Sequence, residues 1–322
     1  MTGTRLGRRV VLALPILAVA GPGRAQDARP LRIVVPFPPG GSVDLVSRIV
    51  QPRLAERLGR AVVIENRTGA SGMIGAAAAA QAPPDGTTVV WGNIATHAIN
   101  VSIYERMPYD PVGDFAPVTL ACAIAFMLVV HPSVRANSVR DLVELSQQAG
   151  RNLAYGSAGS GSLSHLLAEM LKNKTGARLE HVPYRGGGPM LVDLVAGTIQ
   201  VGFADVPSLL PHVRAGALRA LAVAGEERSG LLPDLPTVAE TYPGVSGTAW
   251  HGVFAPARTP PEIVASLNAA LVAVLREPEI RDRLLALGAE PIASAPEELR
   301  QFQAAEIVKW RAIARAVGAR AE

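Results

Sequence analysis

Residues 31–44, Leu-Arg-Ile-Val-Val-Pro-Phe-Pro-Pro-Gly-Gly-Ser-Val-Asp, constrain the fold more than any other stretch. Ile33, Val34 and Val35 form an apolar run without polar alternation, as expected of a strand buried on both faces of a parallel sheet. Two glycines and Ser42 then open a helix. Val46, Ile49, Val50, Leu54 and Leu58 recur at helical spacing, and Gly59 stands where a C-terminal glycine ends a helix. A strand, a glycine-rich turn and a helix N-terminus in that order converge backbone N–H groups on one spot that favours an anion. The stretch reads as half of a carboxylate-binding cleft.

The remaining chain repeats this alternation. Strands are expected at 61–65 and 87–91, an Ala-rich helix at 74–81 and a further helix at 95–104, which together give a βαβ, parallel-sheet architecture. From Ala116 to Val130 the chain stays apolar and extended for unusually long, the mark of a strand crossing between domains. Ser138 and Asp141 form a capping-box-like helix start. A second α/β unit follows, with strands at 152–155, 179–183, 199–204 and 218–224 separated by helices. Residues 248–255 read as a second crossing strand, and Thr259-Pro260-Pro261-Glu262 as a capped helix start. A long helix over about 296–317 finishes the chain. Two crossings divide it into one α/β domain of residues 27–123 plus 248–322 and another of residues 124–247.

The second glycine- and serine-rich turn, Tyr155 to His165, again follows a strand and precedes a helix. Hydroxyls at Ser157, Ser160 and Ser162 with nearby backbone donors suit a second carboxylate; alternatively the serines only cap the helix and the glycines only relieve the turn. One such turn favours the second reading, and two, one per domain, favour the first. A nucleophile elbow is absent, because neither Ser157 nor Ser160 has glycines at both flanking positions. Neither turn carries a complete dinucleotide fingerprint or a Walker lysine, and no cofactor is expected. His165 and Glu169 share a helix face but lack a third metal ligand, so a solvated or capping role is preferred and no metal is expected. Asp44 stabilises its helix N-terminus by default, or accepts from a ligand. His97 and Arg185 either point into the cleft or tie loops down, and Asp205 ends a strand where open α/β sheets bind ligands.

Arg5, Arg8 and Arg9 precede an apolar run, Val10 to Ala20, too short to span a bilayer comfortably, so a transmembrane anchor is the weaker reading, and small residues up to Ala25 suit cleavage before Gln26. Residues 1–25 therefore read as a secretory signal peptide with a weak twin-arginine character. The chain of 322 residues carries 31 Lys+Arg and 27 Asp+Glu. Removing the signal's four arginines leaves a neutral protein, which gives no support to nucleic-acid binding. Cys122, the sole cysteine, reads as a buried structural thiol.

Several spaced motifs carry a family resemblance. Residues 36–44, Glu65-Asn66-Arg67-Thr68-Gly69-Ala70-Ser71-Gly72, residues 155–161, His181-Val182-Pro183-Tyr184-Arg185-Gly186, residues 218–223 and Leu235-Pro236-Thr237-Val238-Ala239-Glu240 resemble the Bug-type periplasmic solute receptors of the tripartite tricarboxylate transporter group. The resemblance implies a two-domain, type II-like Venus-flytrap fold and non-catalytic capture of carboxylates. It would place Phe37, Pro38, Gly41, Ser42, Asp44, Thr96 and His97 on one jaw, with Ser157, Gly159, Ser160, Ala204 and Asp205 on the other. Two departures stand out: the family more often has glycine then threonine at Ser42-Val43, and an acidic residue at Ala204. The expectation is a monomeric periplasmic receptor, not an enzyme, that delivers a di- or tricarboxylate, an aromatic carboxylate or an amino acid to membrane permease subunits. The rivals are a secreted hydrolase or other enzyme using His97 or His165 with a serine, and a ligand-reporting sensory partner.

Overall fold

The computed structural model describes Thr2, residues 29–150 and residues 152–320, so the expected signal segment lies outside the described residues apart from Thr2. In chain order, β1 (Leu31–Val35), α1 (Ser42–Leu58), β2 (Val62–Asn66), α2 (Met73–Ala80) and β3 (Thr88–Asn93) form the first unit, with a 3₁₀ turn over Ala70–Gly72. A π turn, Ala95–Ile99, runs into α3 (Asn100–Ile103). Next come β4 (Phe115–Ile124), β5 (Phe126–Val130), α4 (Val139–Gln147), β6 (Leu153–Ser157), α5 (Leu163–Thr175), β7 (Leu179–Pro183), α6 (Gly187–Ala196), β8 (Val201–Asp205), α7 (Val206–Arg214), β9 (Arg219–Val223) and α8 (Val238–Thr241). The chain ends with β10 (Ala249–Pro256), α9 (Pro261–Leu275), α10 (Pro278–Ala286), β11 (Ala289–Pro291) and α11 (Pro296–Ala316).

Two sheets result, ordered β11-β4-β10-β3-β1-β2 and β7-β6-β8-β5-β9. The apolar run over 116–130 is two strands in different sheets, divided at Ala125, and β10 returns the chain to the first sheet. The sheets are mixed rather than purely parallel. β10 pairs antiparallel with β3, His251 against Asn93, and β5 pairs antiparallel with β8 and β9. The returning strand enters at the end where β3 leaves, which forces the opposite direction.

The all-apolar strands are central, as their lack of alternation requires. Ile33, Val34 and Val35 are fully buried, and every residue of β10 is buried. Cys122 is buried too, and burial pushes its thiol up to about 12. Ser138 and Asp141 form the expected capping box. Thr259 does not cap α9: Pro260 is the N-cap, Pro261 occupies the first turn, and the buried Thr259 hydroxyl has no partner among the described residues. With two prolines setting the backbone, the helix starts without a side-chain acceptor.

Candidate ligand-binding site

The first turn is held by a carboxylate that turns away from its own helix end. Gly41, the N-cap of α1, is extended and offers no side-chain acceptor to the first-turn amides. Asp44 Oδ2 accepts from Gly40 N–H and from Arg48 Nε, each at 2.9 Å, and Oδ1 accepts from Asn66 Nδ2 at 2.9 Å. Asn66 Nδ2 also donates to Phe37 O at 3.0 Å, so β2 fastens both ends of the turn. Asp44 is 2% exposed. Burial alone would raise its carboxyl, but the bonds from Arg48, Gly40 and Asn66 outweigh it and leave the group below the ordinary carboxylate range. Asp44 therefore shapes the turn, while Pro38 and Gly41 stay exposed and Ser42 half-exposed beside the uncapped amides.

Phe37 is half-buried against Gly72, where an added Cβ would stand 3.0 Å from the ring and 2.6 Å from the Thr96 methyl. Thr96 and His97 are fully buried. Thr96 Oγ1 accepts from Asn93 N–H at 3.0 Å and lies 2.8 Å from His97 Nδ1. The His97 ring stacks on Phe254 at 3.8 Å and meets Phe115 edge-on at 4.9 Å, a fit that Gly92 permits by having no Cβ. Burial lowers the ring to about 3, so it is neutral at pH 7. These two side chains belong to the core and present no face to solvent.

The second turn is bonded internally. Ser157, fully buried, accepts from Gly159 N–H at 3.2 Å and lies 2.7 Å from His181 Nε2. Ser162 is the α5 N-cap, accepting from His165 N–H, and its hydroxyl donates to Gly159 O at 2.6 Å. Ser164 Oγ accepts from Ala158 N–H, and His165 Nδ1 accepts from Gly161 N–H, each at 2.9 Å. Ser160 is exposed, and its N–H makes no hydrogen bond among the described residues. Ala204 is buried on β8, and Asp205 caps α7 by accepting from Ser208 N–H at 2.9 Å. The exposed Arg185 follows Tyr184, whose carbonyl would lie 3.3 Å from a Cβ on Gly159.

α3 joins the two turns. Asn100 Nδ2 donates to Ser71 O at 3.1 Å, beside the Gly72 that supports Phe37, and Ile103 packs directly onto Gly161. Hollows of about 290 Å³, beside α7 and residues 231–235, and about 530 Å³, between residues 104–112 and α11, are lined by neither turn. Among the described residues no three His, Cys, Asp or Glu side chains cluster as a metal site.

A family model described as "Tripartite tricarboxylate transporter family receptor" matches residues 46–319. The chain belongs to this family. The receptor is 35% identical over 324 residues to Protein BugT of Bordetella pertussis, covering 99% of each chain. Among solved structures it is similar to R. palustris Rpa4515 with adipate, with a TM-score of 0.86 and 38% identity over 91% of this chain and 99% of that one. It is also similar to MatC from Rhodopseudomonas palustris with bound malate, with a TM-score of 0.81 and 34% identity over 89% and 99% of the respective chains. The receptor thus has the two-domain periplasmic-binding-protein fold that the motifs imply.

Three contributors to the receptor's turns escaped the sequence reading. Asn66 lies 22 residues from Asp44, His181 24 residues from Ser157, and Ile103 well upstream of Gly161. Asn66 and His181 stand inside the spaced motifs at 65–72 and 181–186, which did not assign them to these turns, and Ile103 carried no local signal.

Proposed function

We propose that the receptor captures a small carboxylate between the turns at 36–44 and 157–162 and releases it chemically unchanged to membrane subunits of a tripartite transporter. The observation that carries this reading is the uncapped start of α1: Asp44 is engaged by Gly40, Arg48 and Asn66, so the first-turn amides remain available to an anion. Ser160, exposed on the opposite turn, supplies a second donor. The adipate and malate in the two similar structures support a dicarboxylate. Phe37, Pro38, Gly41 and Ser42 form one wall and Gly159 and Ser160 the other, while Asp44, Ser157 and Asp205 hold backbone in place.

In this reading residues 27–123 plus 248–322 and residues 124–247 are two jaws hinged at Ala125 and at the entry to β10, and closure expels water from the anion. The protein is exported to the periplasm, cleaved near Ala25, and acts as a monomer. Thermal unfolding across a panel of mono-, di- and tricarboxylates tests the proposal. A bound member raises the melting temperature by mass action. Ser160→Tyr, at an exposed position, abolishes that shift without unfolding the protein. Mass spectrometry of ligand recovered after denaturation returns the starting molecule; recovery of a product would instead favour the enzyme reading.

A further inference from the structure

The turn at 157–162 rests on three stacked rings. Tyr155 of β6 lies on His181 of β7, with centroids 4.8 Å apart and planes within 16°, and His181 lies on His165 of α5 at 4.2 Å and 15°. Each imidazole holds one side of Ser160. His181 Nε2 bonds Ser157 Oγ, which accepts the Gly159 N–H, and His165 Nδ1 accepts the Gly161 N–H directly. An imidazole nitrogen that accepts a hydrogen bond carries no proton, so this contact fixes His165 as the neutral ring with hydrogen on Nε2.

The charges around the pair are already committed. Glu169 Oε1 accepts from Tyr155 Oη at 2.5 Å and from Lys172 Nζ at 2.6 Å, and the Lys172 ammonium sits 5.5 Å from the Tyr155 ring centre. Burial lowers both imidazoles; the Glu169 charge opposes the shift, and the Lys172 charge adds to it. His181 falls to about 4. A proton on His165 Nδ1 would set two donors against each other and release Gly161, while a second charge within the stack would repel the first.

We infer that His165 and His181 are positioning residues of the carboxylate site: the neutral stacked pair clamps the amides of Gly161 and Gly159, aims the Ser160 N–H at the ligand, and lets go when His165 is protonated. This rests on the function proposed above. The role belongs to particular ring nitrogens, which separates it from packing. Asparagine can put Oδ1 where His165 Nδ1 stands, and glutamine can put an amide where His181 Nε2 stands; leucine can do neither.

The test combines calorimetric titration with adipate and amide NMR of the ligand-free protein, for the wild type, His165→Asn, His165→Leu and His181→Gln. At about pH 7.5, His165→Asn and His181→Gln bind within about threefold of the wild type, and His165→Leu binds about tenfold more weakly or worse, as loss of one hydrogen bond at the site implies. As pH falls through the pKa of His165 the wild type loses affinity relative to His165→Asn, by about tenfold or more in total, a ratio in which protonation of adipate itself cancels. In the ligand-free wild type the Gly161 amide resonance titrates together with the His165 ring protons, and in His165→Asn it does not. A Gly161 amide indifferent to His165 titration, or His165→Leu binding like the wild type, overturns the inference. If the wild type binds neither adipate nor any other carboxylate while the Gly161 linkage is present, it is the proposed ligand class that falls.

Discussion

Trp250 on β10 and Trp310 on α11 donate their indole N–H groups to one oxygen, Glu306 Oε2, at 2.9 and 2.8 Å. Trp310 also packs where a side chain on Gly247 would stand, next to Leu163 and Leu167 of α5. The C-terminal helix is thereby pinned at the place where the chain passes from the second sheet back to the first.

Replacing Glu306 by leucine orphans two buried donors at once. Glu306→Leu should cost about 2–6 kcal/mol, since each unsatisfied buried donor costs about 1–3 kcal/mol. Glu306→Gln keeps a carbonyl acceptor and should lose no more than about half of that. Urea unfolding midpoints measure both, and a Glu306→Leu protein as stable as the wild type would show that the indoles find other partners.

The parts of this arrangement that were legible in the sequence are those set by local periodicity. The run from 116 to 130 reads as one crossing strand; the chain does pass there from one sheet to the other, but as two strands divided at Ala125. Gly59 ends its helix in a left-handed conformation, as glycine permits. α10 and β11 were missed because α10 buries only Ile280 and Leu284 and β11 has three residues, too few for a periodic signal. The site was half legible: glycine and serine spacing marks both turns, but nothing local shows that Asp44 is claimed by Asn66 or that His97 lies under Phe254. Those pairings are made by the sheet and not by neighbours in the chain.

Asp44 should act on stability through its charge. Asp44→Asn puts an amide among the donors of Gly40, Arg48 and Asn66 and is expected to cost about 2–3 kcal/mol, the range for charge-assisted bonds. The folded carboxyl titrates below the ordinary value of 3.8, so its contribution is fully present above that value and is lost as pH falls through the lower folded value. The gap between wild type and variant should stay constant from neutral pH down to about pH 5 and close below about pH 4. A gap that persists in acid would mean the carboxylate charge is not what holds the turn.

His97 should make the fold acid-sensitive over a different window. Its ring titrates at about 6.5 when unfolded and about 3 in the core, so below pH 6.5 the unfolded chain takes the proton first and stability declines until about pH 3. His97→Phe keeps an aromatic ring against Phe254 and removes this linkage. Between about pH 7 and pH 5 the wild type should lose on the order of 2 kcal/mol more than the variant. Equal slopes in paired urea titrations would place a proton acceptor other than His97 in control.

Gly161 and Ile103 carry the contact between the second turn and α3, and its two constraints can be separated. Gly161 sits at φ +77°, a conformation costly for any residue with a Cβ, and that Cβ would strike the Ile103 side chain. Gly161→Ala should therefore lose about 1–2 kcal/mol from the backbone alone, with a further loss from the collision. Adding Ile103→Ala should relieve the collision and leave the backbone cost untouched, so the double mutant is more stable than the sum of the single changes predicts. If the sheets are jaws that close at this contact, Gly161→Ala should also enlarge the radius of gyration in the presence of a bound carboxylate, and Ile103→Ala should restore it. Simple additivity in the cycle, with scattering unchanged, would mean that Gly161 serves only its own turn and that closure is governed elsewhere.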